Sequence, residues 1–264
     1  MFTHAIVRPP APNFAEGLTA AGLGLPDYRR ALEQHEAYCA ALEQCGLTLT
    51  SLEPDPDYPD STFVEDVAVV TSRFAVLARP GAPSRGGEVE SVRKMLATFF
   101  PALHEIQPPG TVDGGDICQV GDDFFIGISA RTNEAGAQQL ARILQSNSYS
   151  SSFVDITQQG SESKTIASPL LHLKSGIAYL GLNRLAITDP LGSHPEFANY
   201  DLVHVNRGEK YAANCVRIND YVLIAAGYPK LQAELRDLGY RTIALDMSEF
   251  RKMDGGLSCL SLRF

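Results

Sequence analysis

One unit recurs along this chain: a helical stretch, a strand, a polar loop, then two short strands joined by a tight turn. Alternating and β-branched residues mark strand pairs over residues 67–78, 117–128, 177–188 and 215–226. Their turns fall at Thr71-Ser72-Arg73, Gly121-Asp122-Asp123, Gly181-Leu182-Asn183 and Asn219-Asp220, mostly the residue types that tight turns select. Helices are predicted over residues 27–45, 84–100, 132–145 and 229–238, with a weak one at 194–200. The first carries Tyr28, Leu32, His35, Cys39 and Leu42 on one face, between Pro26 and Gly46. One more strand follows each helix, at 47–52, 104–107, 152–157, 202–206 and 241–246. A fifth hairpin is missing as a continuous segment, yet residues 258–264 and 4–8 both read as strands and supply it if the chain ends meet. Similar units that cannot bury their faces alone pack against one another. The expectation is an α/β ring of five modules forming one domain over residues 1–264, with an ordinary open α/β sheet as the competing architecture.

With 264 residues, 44% of them hydrophobic, the chain can bury a sizeable core. A net charge of −9 argues against a broad nucleic-acid or membrane surface, while an acidic cleft would attract a cationic small molecule. The apolar runs fall short of a bilayer span. No basic-then-apolar leader is visible at the N-terminus, so a cytoplasmic location is expected. The five cysteines, at 39, 45, 118, 215 and 259, include no CxxC pair and read as neither a disulfide framework nor a zinc site.

Polar residues sit just upstream of each hairpin: Glu65-Asp66, Asp113-Gly114-Gly115-Asp116, His172, Asn214 and Cys259. In a ring these equivalent positions point to one end of the axis, so carboxylates, an imidazole, an amide and a thiol converge there. A Cys, a His and an acid far apart in sequence are what a thiol nucleophile with an oriented acid/base requires. Cys259 follows Gly255-Gly256, read here as a pair that lets the backbone approach a ligand closely. The plainer alternatives are a buried core cysteine, a satisfied core histidine and a solvated acidic turn at 65–66. Asn214 fits a turn former and is left outside the catalytic set.

Six motifs in order resemble the dimethylarginine dimethylaminohydrolase family of the guanidino-modifying (pentein) superfamily. They are Phe63-Val64-Glu65-Asp66, Gly110-Thr111-Val112-Asp113-Gly114-Gly115-Asp116, Ser129-Ala130-Arg131-Thr132-Asn133, Leu171-His172-Leu173-Lys174-Ser175-Gly176, Tyr211-Ala212-Ala213-Asn214-Cys215 and Asp254-Gly255-Gly256-Leu257-Ser258-Cys259. The resemblance implies a five-bladed α/β propeller that hydrolyses Nω,Nω-dimethyl-L-arginine and Nω-methyl-L-arginine to citrulline and the methylated amine. It implies Cys259 as nucleophile, His172 as proton donor and then base, and Asp113 as the group that holds the imidazole. Glu65 and Asp66 would lie around the guanidinium, Arg85 and Arg131 would clamp the carboxylate, and Asp60 and the Leu18 backbone would meet the α-amino group. The backbone near Met253 is a further implied contact. Some bacterial relatives carry glutamate where this chain has Asp113, so the shorter side chain calls for a closer backbone. Residues 158–169 look like a polar surface insertion beside His172, and residues 17–25, with three glycines, are a candidate lid.

A guanidinium is a poor electrophile, and a free thiol is only a few per cent ionised at neutral pH. No Lys or Arg adjoins Cys259 in sequence. The substrate's own cation is therefore expected to assist ionisation, with a thiol of ordinary or raised pKa in the free protein. No cofactor and no required metal are expected; zinc at Cys259 and His172 would be inhibitory. The expected partner is a small methylated arginine, with no nucleic acid and no membrane, and a homodimer is compatible with the resemblance. Two rivals stand beside this reading: an arginine deiminase-like hydrolase acting on unmethylated arginine, and a non-catalytic propeller that binds a partner, as ribosome anti-association factors of similar fold do.

Overall fold

The computed structural model describes residues 1–157 and 170–264, so the segment at 158–169 lies outside the described residues. Among the described residues, fifteen strands form five sheets of three, and every sheet has the same plan. The first module, residues 68–105, shows it. β1 (His4–Val7) is followed by β2 (Thr48–Ser51), β3 (Ala68–Val70) and β4 (Ala75–Leu77). β3 and β4 form an antiparallel hairpin, and β4 pairs in parallel with β5 (Leu103–Glu105). The second module is β6 (Ile117–Val120), β7 (Asp123–Ile128) and β8 (Ser150–Asp155). The third is β9 (Ile177–Gly181), β10 (Arg184–Thr188) and β11 (Asp201–Val205). The fourth is β12 (Val216–Ile218), β13 (Tyr221–Ala225) and β14 (Arg241–Leu245). The fifth is closed by the chain ends. β15 (Ser261–Arg263) pairs antiparallel with β1 in the register Ala5↔Arg263, Ile6↔Leu262 and Val7↔Ser261, and β1 pairs in parallel with β2.

Helices make the parallel crossovers. α1 (Tyr28–Gln44) begins where Asp27 accepts the Arg30 N–H at 2.9 Å, and Gly46 leaves it at φ +91°. Its buried stripe is Ala31, Gln34, His35, Tyr38, Ala41 and Leu42, rotated by about a residue from the expected face, with Cys39 only half-buried. α2 (Val89–Leu96) is shorter than expected because Pro83–Glu88 forms a 3-10 turn first. α3 (Glu134–Ser146) is capped by Asn133, which accepts the Gly136 N–H at 2.8 Å. In the third module the weak helix at 194–200 gives way to α4 (Asp189–Gly192), a single turn, and a 3-10 turn Pro195–Phe197. α5 (Pro229–Asp237) starts on a proline, which needs no N–H partner there.

The core explains the closure. Period-two alternation sends neighbouring residues of each strand to opposite faces, and both faces are covered by adjacent modules. Ile6 and Leu262 of the fifth module pack with Val67, Leu77 and Val92 of the first. Ala5 and Val7, on either side of Ile6, pack with Tyr38, Val216 and Leu223 toward the fourth. The other three apolar clusters lie between the first and second, second and third, and third and fourth modules. Five modules thus share five clusters among the described residues, which is the count a closed ring requires and an open sheet lacks.

Candidate active site

Each hairpin is entered through a 3-10 turn: Val64–Val67, Gly114–Asp116, Leu173–Ser175, Arg207–Ala213 and Ser258–Leu260. These turns carry or adjoin the polar residues singled out in the sequence. One small pocket collects Leu18, Asp60, Phe63, Asp66, Arg85, Asp113, Arg131, Leu171, His172, Met253, Asp254, Gly255 and Cys259. The sulfur from the chain's tail and the imidazole of the third module therefore face the same space.

His172 is held by Asp113, whose Oδ2 lies 3.1 Å from Nε2. The other Asp113 oxygen accepts the Gly81 N–H at 2.8 Å, and the Asp113 N–H donates to Thr132 Oγ1 at 3.1 Å. Burial by itself would lower the imidazole pKa. The carboxylates of Asp66, Asp113 and Asp116 outweigh it and raise the value to about 9. Burial would in turn raise Asp113, but the hydrogen bond and charge of His172 hold it below the usual carboxylate range. Gly115 is required by close approach, since a Cβ there would stand 2.7 Å from His172 Nδ1 and 2.8 Å from Asp66 Oδ1.

Asp66 accepts the Gly115 N–H at 3.0 Å through Oδ1 and Arg85 Nη1 at 2.6 Å through Oδ2. Arg85 is itself spoken for: Nε and Nη2 grip Glu88 at 2.9 and 2.8 Å, and Nη2 also reaches the carbonyls of Asp60 and Phe63. Burial drives the Glu88 carboxyl up to about 7 against the pull of Arg85. Arg131 differs. It lines the pocket half-buried, and its guanidinium makes no hydrogen bond or ion pair among the described residues. Asp60 is buried and accepts the Leu18 N–H through both oxygens at 3.1 Å; burial raises its pKa while Arg85 opposes.

One expectation is corrected. Glu65 does not line this pocket. It turns to the back of the site, pairs with Lys174 Nζ at 2.5 Å and Arg263 Nη2 at 3.0 Å, and accepts Ser258 Oγ at 2.7 Å. Successive residues of a 3-10 turn diverge by a third of a revolution, so Glu65 and Asp66 cannot face one ligand. Gly255 lines the pocket, and packing also requires both glycines. A Cβ at Gly255 would lie 2.3 Å from the Phe63 ring, and one at Gly256 2.4 Å from Asn214 Oδ1.

Sequence reasoning missed the part played by Asp116. Fully buried, it accepts Ser129 Oγ and Thr132 Oγ1 at 2.7 Å and the Leu173 N–H at 2.9 Å. One carboxylate thus anchors both the turn that presents Arg131 and the residue after His172. Its place in the Gly-Gly-Asp motif was the available signal.

Cys259 is neutral in this setting: burial first, then the charges of Glu65 and Asp66, push its thiol up to about 12. Ligand atoms of Asp66, Asp113 and His172 lie within 4.8 Å of one another. Arg85, Gly81 and the imidazole proton already engage much of the lone-pair capacity a cation would need, so the group reads as an internally bonded cluster. The pocket is a partly open cleft of about 30 Å³. The start of the 17–25 segment packs beside it: Leu18 lines the pocket, Gly17 packs against Asp60 and Met253, Thr19 Oγ1 donates to the Lys252 carbonyl at 2.8 Å, and the Ala20 N–H donates to Asp254 at 2.6 Å.

Comparison with known proteins places these groups in a family context. The arginine deiminase family matches residues 57–165. An N(G),N(G)-dimethylarginine dimethylaminohydrolase of Pseudomonas aeruginosa is 46% identical over 265 residues, covering all of both chains. One of the same name from Streptomyces coelicolor is 35% identical, covering 98% of this chain and 96% of its own. Among solved structures, a Pseudomonas aeruginosa enzyme with its cysteine changed to serine, complexed with citrulline, matches over all of both chains at 46% identity and a TM-score of 0.93. A dimethylarginine dimethylaminohydrolase variant in an adduct with S-methyl-L-thiocitrulline matches equally well. The N-terminal domain of the arginine dihydrolase ArgZ, at 18% identity and a TM-score of 0.84, shares the fold.

Proposed function

Given that the chain belongs to the dimethylarginine dimethylaminohydrolase family, we propose how its residues divide the work of that reaction. The protein hydrolyses Nω,Nω-dimethyl-L-arginine to L-citrulline and dimethylamine through a covalent intermediate. The observation that carries the assignment of roles is the shared pocket, in which the Cys259 thiol, a buried His172–Asp113 pair and Asp66 line one space.

Asp66 is the carboxylate that receives the guanidinium, with its plane set by Gly115 and Arg85. The substrate's α-amino group meets Asp60 and the Leu18 backbone. Its carboxylate is held by Arg131 and by the remaining N–H of Arg85 Nη1. The backbone around Met253 lies along the substrate chain. A cation bound on Asp66 offsets the charges that keep Cys259 protonated, and the thiol ionises once the substrate is seated. Orientation of sulfur against the planar carbon then removes several kcal/mol from the barrier.

Thiolate adds to the guanidinium carbon. Protonated His172 gives its proton to the dimethylamine nitrogen as the C–N bond breaks, leaving an S-alkylthiouronium on Cys259. Neutral His172 takes a proton from water, whose oxygen attacks the same carbon; the C–S bond breaks and citrulline departs. No step needs a cofactor or metal, and a chelator is expected to leave the rate unchanged.

The test is a side-by-side citrulline assay on dimethylarginine, monomethylarginine and arginine. Turnover of the methylated substrates that disappears in Cys259→Ser is expected. Preference for plain arginine would favour a deiminase instead.

A further inference from the structure

We infer that Asn214 is a positioning residue that fixes the distance between nucleophile and imidazole by tying the turn that carries Cys259 to the turn that begins at His172; this rests on the roles given to Cys259 and His172 above. Asn214 is buried, at 7% exposure, and three of its four bonding positions are used. Oδ1 accepts the Ser258 N–H at 2.9 Å, while Nδ2 donates to the Lys174 carbonyl at 2.9 Å and to Ser258 Oγ at 3.0 Å. A backbone N–H can only donate and a carbonyl can only accept, so these partners fix which end of the amide is which.

The two anchor points are the centres of the catalytic turns. Lys174 lies in the turn closed by the Ser175 N–H on the His172 carbonyl at 3.0 Å. Ser258 precedes Cys259 in the turn where the Cys259 N–H donates to Gly256 at 3.2 Å. The turns come from the third and fifth modules, and Asn214 enters from the fourth, between them. Glu65 spans the same two turns from behind, through Lys174 Nζ and Ser258 Oγ. Gly256 is the complement of this amide, because any Cβ would collide with Asn214 Oδ1.

Asn214 does not line the pocket, so it acts through geometry. The groups given to substrate binding, Asp60, Asp66 and Arg131, lie on other turns. Loss of the tie therefore falls on kcat and spares KM. A displacement of the order of 1 Å between reacting groups costs up to about 100-fold in rate.

The test compares wild type, Asn214→Ala and Ser258→Ala in steady-state and rapid-quench assays with dimethylarginine, alongside a near-UV circular dichroism check of folding. For Asn214→Ala the expected result is a kcat lowered about 10- to 100-fold. Its KM stays within about threefold, and formation of the Cys259 adduct slows by the same factor as kcat. Ser258→Ala keeps two of the three amide bonds and is expected to lose several-fold in kcat at unchanged KM; it decides the matter if Asn214→Ala does not fold. A folded Asn214→Ala with wild-type kcat, a loss confined to KM, or, in the absence of a folded Asn214→Ala, an unimpaired Ser258→Ala would overturn the inference. A wild type that turns over no methylarginine would instead overturn the functional reading on which it rests.

Discussion

His172 and Cys259 are both displaced from ordinary ionisation, and in senses that suit one another. The raised imidazole pKa of about 9 leaves His172 charged at neutral pH, ready to protonate a leaving amine. The sign for stability follows. A group whose folded pKa lies above its ordinary 6.5 stabilises fully below that value and loses the contribution as pH rises through about 9. The alkaline limb of kcat/KM is expected near the same pH. Asp113→Asn removes a carboxylate that favours the charged ring, so the limb should move to lower pH and kcat should fall by about 100-fold or more; a pH–rate profile of the variant checks both. The thiol, pushed up to about 12, should react slowly with an alkylating agent in the free protein and faster with a cationic, non-reacting arginine analogue bound. At this scale the sequence marked Cys259, His172 and Asp66 by residue type and by place before a hairpin. It could not separate Glu65 from Asp66, because their opposite directions come from the pitch of a 3-10 turn. Nor could it separate Arg85 from Arg131, because Glu88 and Asp66 claim the former only once the chain is folded.

Among the elements, the segment at 17–25 has the plainest functional consequence. Leu18 of this segment lines the pocket, and Thr19 and Ala20 bond across to Lys252 and Asp254, so the segment is expected to move when substrate enters. Its latch is Asp254, which sits at φ +57° and accepts the Ala20 N–H at 2.6 Å. Asp254→Gly tolerates that backbone and removes the latch. The expected result is a KM raised several-fold to about 10-fold, since an exposed bond to a charged acceptor is lost, with kcat largely kept. An unchanged KM would show that the latch does not hold the closed state. Hairpins were the most legible elements, because Gly and Asn mark turns such as Gly181-Leu182-Asn183, where all three residues have positive φ. The helix at 84–100 was read too long. Its first turn is tightened by Pro83 and by the engagement of Arg85 and Glu88 at the site, which local periodicity does not register.

For the molecule as a whole, closure of the ring is what makes a site at all. Asn219, at the turn of the fourth hairpin, anchors the N-terminal end to the fourth module: it accepts the Phe2 N–H at 2.9 Å and donates to the carbonyls of Phe2 and Cys45 at 3.0 Å. Its φ of +52° makes glycine the clean replacement. Asn219→Gly should cost about 1–3 kcal/mol, seen as a thermal midpoint lower by a few degrees, with KM and kcat unchanged well below it. The repeat made this closure legible, because two orphan strands at opposite ends complete a count of five. The back wall built from Glu65, Lys174, Asn214 and Arg263 was not legible, since its bonds join four modules and leave no local pattern. The central claim is that a sulfur from the last turn and an imidazole from the third module act on one carbon. Rapid acid quench of the protein with dimethylarginine, followed by mass spectrometry of the intact chain and its peptides, tests it most directly. A mass increase mapped to Cys259 that grows and decays at the pace of citrulline release is the predicted result; citrulline formed with no adduct on that peptide, or an adduct on another residue, would contradict it.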